Sequence, residues 1–111
     1  MPVIKTDLFK KADIRIAEIA RVLAHPARIA ILRELVRRNE CVCGQIVDVI
    51  PLAQSTVSQH LKELKKIGMI RGEIDGPRSC YCIDGKKMSE LAALLGDFLQ
   101  TVSSDCQDKK C

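Results

Sequence analysis

Tryptophan is absent, and only three aromatic residues occur, Phe9, Tyr81 and Phe98. A core made from this chain is therefore aliphatic. A platform for single-stranded nucleic acid, which needs several exposed rings for base stacking, is excluded. Long apolar runs are missing too. The longest charge-free stretch, residues 49–61, is interrupted by Pro51, Gln54, Ser55 and Thr56, so no membrane span fits. The first fifteen residues carry Lys5, Asp7, Lys10, Lys11, Asp13 and Arg15 where an export signal would be apolar, which predicts a cytoplasmic protein. Histidine is scarce, with His25 and His60 alone. No glycine loop of phosphate-cradling type, no C-x-x-C redox pair and no Cys–His spacing of catalytic type is present, so no enzyme is expected.

Cysteine is abundant by contrast, with six in 111 residues. They fall as Cys41 and Cys43, Cys80 and Cys82, then Cys106 and Cys111. Cytosolic thiols stay reduced, so these are expected to be ligands or redox groups rather than staples. The C-x-C spacing differs from the C-x₂-C of structural zinc knuckles. The length suits one domain, and 47 % apolar with 29 % charged residues is the balance of a globular chain rather than a disordered one.

Periodicity orders the chain. Phe9, Ala12, Ile16, Ile19 and Leu23 alternate spacings of three and four, an apolar helical stripe over residues 7–24. Pro26 suits the first turn of a second helix, to about Arg38, with Ile29, Leu32, Leu35 and Val36 inward. Cys41-Val42-Cys43 then opens a short helix, over about 45–49, that ends before Pro51. A helix over about 55–67 buries Val57, Leu61 and Leu64, and Gly68 is placed to cap it in the left-handed conformation. Strands are predicted over 70–74 and 78–83, joined by Asp75-Gly76-Pro77, and a last helix over about 88–102. The fold expected is mainly α with a β-hairpin wing, a winged helix-turn-helix of order α-α-α-α-β-β-α. Residues 1–103 form the DNA-binding and dimerisation domain, and residues 104–111 a polar, Cys-containing tail. The first and last helices carry more apolar surface than one small body needs, so a homodimer through both is expected.

With Val57, Leu61 and Leu64 inward, Ser55, Ser58, Gln59 and Lys62 face out, and Gln54 and Thr56 stand at the helix start. Short hydroxyls and amides there suit base edges and phosphates of the major groove. Ser55 is also a plausible N-cap, and Gln59 and Lys62 could be ordinary solvated positions. Seven basic against four acidic residues between 54 and 88 give a small surplus for a duplex, and Arg78 beside the wing turn is the candidate for the minor groove or backbone.

Residues 23–32, LAHPARIAIL, resemble the opening signature of the arsenical-resistance (ArsR/SmtB) repressor family. Residues 55–64, STVSQHLKEL, are similar to its recognition helix, and Glu40-Cys41-Val42-Cys43 resembles the metalloid box of its arsenic-sensing branch. The resemblance covers about residues 8–100. It implies a homodimeric repressor of double-stranded operator DNA, without a permanent cofactor, that leaves its operator when a metal or metalloid binds. The box has Gly44-Gln45-Ile46 where the family often has a third cysteine. The last helix has no histidine for a zinc-type site.

Trivalent arsenic and antimony are thiophilic, and a trigonal thiolate set suits them. Cys41 and Cys43 are the expected ligands, with Cys106 or Cys111 as the third. Residues i and i+2 diverge on a helix and converge only in an extended segment, so joint chelation requires the helix start to be extended or to unwind. Cys80 and Cys82 share one strand face, open to a soft ion, to a redox switch or to plain filling of the outer face. A thiol redox regulator of the same fold is the alternative function; a thiol enzyme such as an arsenate reductase is the remote one.

Overall fold

The computed structural model describes residues 8–44 and 50–107. The predicted helix at 45–49, and Cys111, lie outside the described residues. Helix α1 (Lys11–Leu23) and helix α2 (Pro26–Arg38) are separated by Ala24 and His25, and Pro26 occupies the first turn of α2. Asn39, at φ 53°, ends α2 in the left-handed conformation, its N–H donating to the Leu35 and Val36 carbonyls. Ile19, Val22, Ile31 and Leu35 from these helices are buried. Val36 was expected inward and is 64 % exposed. It stands about 100° round the helix from Leu35, and the stripe through Ile31 and Leu35 leaves it outside.

Helix α3 (Gln54–Ile67) buries Val57, Leu61, Leu64 and Ile67. Gly68, at φ 98°, stops it as expected. The Gly68 N–H donates to the Lys65 carbonyl and the Met69 N–H to the Leu64 carbonyl, so two orphan acceptors are satisfied. Ala53, not Ser55, is the N-cap residue, which leaves the Ser55 hydroxyl free of that duty.

Strands β1 (Val42–Cys43), β2 (Ile70–Glu73) and β3 (Cys80–Ile83) form one antiparallel sheet of order β1-β3-β2. The predicted hairpin is present, and β1 is an addition. Cys41-Val42-Cys43 was expected to open a helix; instead Val42 pairs with Tyr81 and Cys43 with Cys80. The β-branched Val42 gains burial beside Tyr81, and Gly44 at φ 93° turns the chain away. Gly72, at φ 115°, admits the close approach of β2 to β3. A Cβ there would run into the Cys80 carbonyl oxygen and the Tyr81 Cα.

Tyr81 sends its ring into the core at 2 % exposure, and its hydroxyl has no hydrogen-bond partner among the described residues. Burial pushes its pKa up. An unsatisfied buried hydroxyl costs about 1–3 kcal/mol. Tyr81→Phe is therefore expected to raise the thermal midpoint by several degrees. A calorimetric scan that shows a lower midpoint contradicts that.

Helix α4 (Gly85–Gln107) begins where the Asp84 carboxylate accepts the Lys87 N–H. It starts earlier and ends later than the expected 88–102, and residues 104–107, assigned to the tail, are helical. No glycine or proline after Gly96 stops it. Leu91 is buried, Leu94 and Leu95 are half-buried, and Phe98, Leu99 and Val102 are exposed. One apolar stripe thus starts on the core and runs off the body. No described helix is long and apolar enough to cross a membrane.

Candidate nucleic-acid interface and thiol cluster

The first turns of α3 stand clear of the body. Gln54, Ser55, Thr56 and Gln59 are exposed, and Ser58 is half-buried. The β2–β3 turn, with Asp75, Gly76, Pro77 and Arg78 all exposed, lies beside them. Contact between the two is made by Asp75, whose Oδ1 accepts the Ser58 hydroxyl at 3.0 Å and whose Oδ2 meets Lys62 Nζ at 2.9 Å. Lys62 first, then Ser58, holds the Asp75 carboxyl below its ordinary pKa. Of the seven residues expected to meet DNA, Ser58 and Lys62 are thus engaged by a carboxylate of the wing, and Gln54, Ser55, Thr56, Gln59 and Arg78 are exposed. Sequence reasoning missed Asp75, which it read only as a turn residue.

The thiols are placed differently from the expectation. Cys41 and Cys43 are extended, so their side chains share a face, opposite the buried Val42. Cys80 and Cys82 share a face of β3, opposite Tyr81. The pairing register makes these the same face. Two disulfides join them across the strands, Cys41–Cys82 and Cys43–Cys80, with Cα separations of 4.3 and 4.0 Å. The chain pairs each C-x-C with the other rather than within itself. Strand β2 extends both rows, with Arg71 opposite Cys82 and Glu73 opposite Cys80. Cys106 is exposed in the last turn of α4. Among the described residues no three Cys, His, Asp or Glu side chains are grouped to hold a metal. Sulfurs joined in disulfides are not thiolate donors.

Comparison with known proteins identifies the architecture. A helix-turn-helix domain model matches residues 23–73. The HTH-type transcriptional regulator Rv0081 of Mycobacterium tuberculosis is 37 % identical over 89 residues, 80 % of this chain and 78 % of that protein. Its crystal structure superposes with a TM-score of 0.61 at 32 % identity, over 87 % of this chain and 97 % of that one. The regulator CmtR of Mycobacterium bovis is 32 % identical over 86 % of this chain and 78 % of its own length. The transcriptional repressor SmtB of M. tuberculosis is 44 % identical over 58 % of this chain and 47 % of its own. The chain belongs to the ArsR/SmtB family of winged-helix regulators.

In this ArsR/SmtB protein the two histidines lie near each other where α2 begins against α3. Arg28, 6 % exposed on α2, donates through Nη1 to the Val22 carbonyl and through Nε to His60 Nδ1 on α3, at 3.2 and 3.0 Å. Nδ1 must therefore be unprotonated. The His25 ring, at the α2 N-cap, lies 5.7 Å from that of His60. Burial, then the Arg28 and His25 charges, lowers the His60 pKa below 6.5. An unfolded chain takes up this proton near pH 6.5 and the folded one only at lower pH, so this contribution to stability falls as pH drops below 6.5. Thermal midpoints between pH 7.5 and 5 are expected to decline more steeply for the wild type than for His60→Gln, whose amide oxygen can still accept from Arg28. Equal slopes would remove His60 from the acid response.

At the other end of α2, Arg37 and Arg38 both donate to the Glu34 carboxylate, holding its pKa at about 2. Three charges are thereby tied together beside the chain that leads into β1.

Proposed function

We propose that this protein is a transcriptional repressor that grips duplex operator DNA with α3 and the wing and leaves it when trivalent arsenic or antimony, or another soft ion, binds cysteine thiolates. The observation that carries the DNA half is the exposed row Gln54, Ser55, Thr56 and Gln59 with Arg78 at its side. Polar groups at a helix N-terminus suit base edges and phosphates together. Relatives named as regulators and repressors support this over a thiol enzyme. The operator-bound form is a homodimer: Leu8 and Phe9 before α1, and Phe98, Leu99 and Val102 on α4, are large apolar side chains left exposed on one protomer. A partner's copies would cover them.

Cys41 and Cys43 are the sensing thiolates. Their shared face supports chelation without unwinding a helix, which replaces the helix-opening route expected from sequence. Tail residues Cys106 and Cys111 are dispensable on this reading. The effector is held only while it is present in the cell; no permanent cofactor is involved.

The test is a gel-shift titration on a duplex selected from a random pool, with arsenite, antimonite, cadmium, lead and zinc added in turn. Arsenite or antimonite is expected to release the duplex from the wild type and not from Cys41→Ser or Cys43→Ser. Unaltered release from both variants overturns the sensing role. The cross-strand disulfides favour a second reading, release by thiol oxidation. Binding that responds to peroxide and ignores arsenite would select it.

Asp75 sets a further expectation. Asp75→Asn removes a carboxylate from the DNA side and frees Lys62 for a phosphate. Operator affinity should rise several-fold at low salt, and the salt slope should steepen by about one phosphate contact. Fluorescence anisotropy across a salt series reads both, and weaker binding would mean that Asp75 positions the wing.

A further inference from the structure

We propose that Cys82 of β3 supplies the third thiolate of the effector site, so that one trivalent metalloid is held by Cys41, Cys43 and Cys82 of a single chain, across β1 and β3. This rests on the sensing reading above and names the ligand set that it lacks.

The cross-strand pairs have Cα separations of only 4.3 and 4.0 Å, so in the reduced protein four thiols crowd one small patch. The pairs Cys41/Cys82 and Cys43/Cys80 lie in adjacent rows about 6.5 Å apart along the strands, a span over which cysteine side chains converge. A three-sulfur pyramid takes both thiols of one row and one of the other.

Access selects which. Cys41 and Cys82 line one groove with Leu35, Val36, Glu40 and Arg71, open to an incoming solute, and Cys80 is not among the residues that line it. Cys80 is left as the spare.

The competing donor is too far along its own helix. Helix α4 starts three residues after Cys82 and rises about 1.5 Å per residue, which carries Cys106 roughly 30 Å from the helix start. A cysteine of the same chain's last turn therefore does not reach the cluster; only a partner's tail could, and the test distinguishes it.

The chemistry balances without any change in the metalloid's oxidation state. Each disulfide is opened by two equivalents of a small thiol, which leaves as its own disulfide and returns two cysteine thiols. Three of the four thiols then displace the three hydroxyls of arsenous acid as three waters and form three S–As bonds. The oxidised protein, with no free thiol in the patch, does not bind.

The experiment titrates arsenite into protein reduced with a phosphine and freed of it, following S–As charge-transfer absorption and stoichiometry. The wild type is expected to take one arsenic per chain, and the disulfide form none. Cys82→Ser should weaken binding about 100-fold or more, since even outer partners of a ligand are worth about 10–100-fold. Cys80→Ser, and the double variant Cys106→Ser with Cys111→Ser, should bind as the wild type does. Wild-type affinity in Cys82→Ser, or a loss confined to the tail variant, overturns the assignment while leaving the sensing reading intact. No binding by the reduced wild type overturns that reading and this one together. Circular dichroism checks that each serine form is folded, and Cys82→Ala serves as the second variant.

Discussion

A form carrying Phe98→Glu and Val102→Glu is expected to run as a monomer and to lose operator affinity by about 10²–10⁴-fold. The magnitude is that of linked binding: a dimer engages two half-sites, and the second contact is made at the effective concentration set by the first. The stripe on α4 explains the choice of residues. Leu91 anchors it in the core, Leu94 and Leu95 lie at the edge, and Phe98 and Val102 are 44 % and 53 % exposed, beyond the body of one protomer. Charges placed there leave the monomer's own packing alone and cannot be buried against a partner without heavy cost. Light scattering gives the mass and anisotropy the affinity. A variant that stays dimeric, or binds as tightly while monomeric, would show that the protomers meet elsewhere.

Leu64→Ala should be the most damaging single truncation in the core. Leu64 has no exposed surface and lies on the inner side of α3, which packs on α1, α2 and β2. Truncating a fully buried leucine costs about 2–5 kcal/mol, the spread reflecting how far the site collapses. For a domain whose whole stability is about 5–15 kcal/mol, that is a large fraction. Denaturant titration under reducing conditions should show the midpoint fall with little change in slope. A loss below about 1 kcal/mol would mean that the neighbouring helices close over the cavity. DNA binding should weaken only in proportion to the unfolded fraction, because Leu64 faces inward, away from the exposed residues of α3.

The helices of this fold could be read from the chain because each carries a local signature. Alternating spacings of three and four mark α1, a proline opens α2, and Gly68 closes α3. The hairpin was legible for the same reason, through Asp75-Gly76-Pro77 and the alternation around it. What escaped is the set of features fixed by partners remote in sequence. Nothing between Glu40 and Gly44 announces a strand; Val42 and Cys43 become one because Tyr81 and Cys80, nearly forty positions later, offer an edge. The pairing of cysteines across strands follows from that same register and could not be had from the C-x-C spacing alone. The end of α4 was missed for a local reason, since polar residues after Val102 read as a tail while containing no helix breaker. Asp75 was legible as a turn former and not as the partner of Ser58 and Lys62, because a turn signal says nothing of what the carboxylate reaches.

On β3, Tyr81 points into the packed interior between two sulfur-bearing neighbours that point out. Folding and sulfur chemistry thus occupy opposite sides of one short ribbon. Substitutions on the sulfur side leave the buried ring of Tyr81 in place, so that side can change in composition while the interior stays as it is.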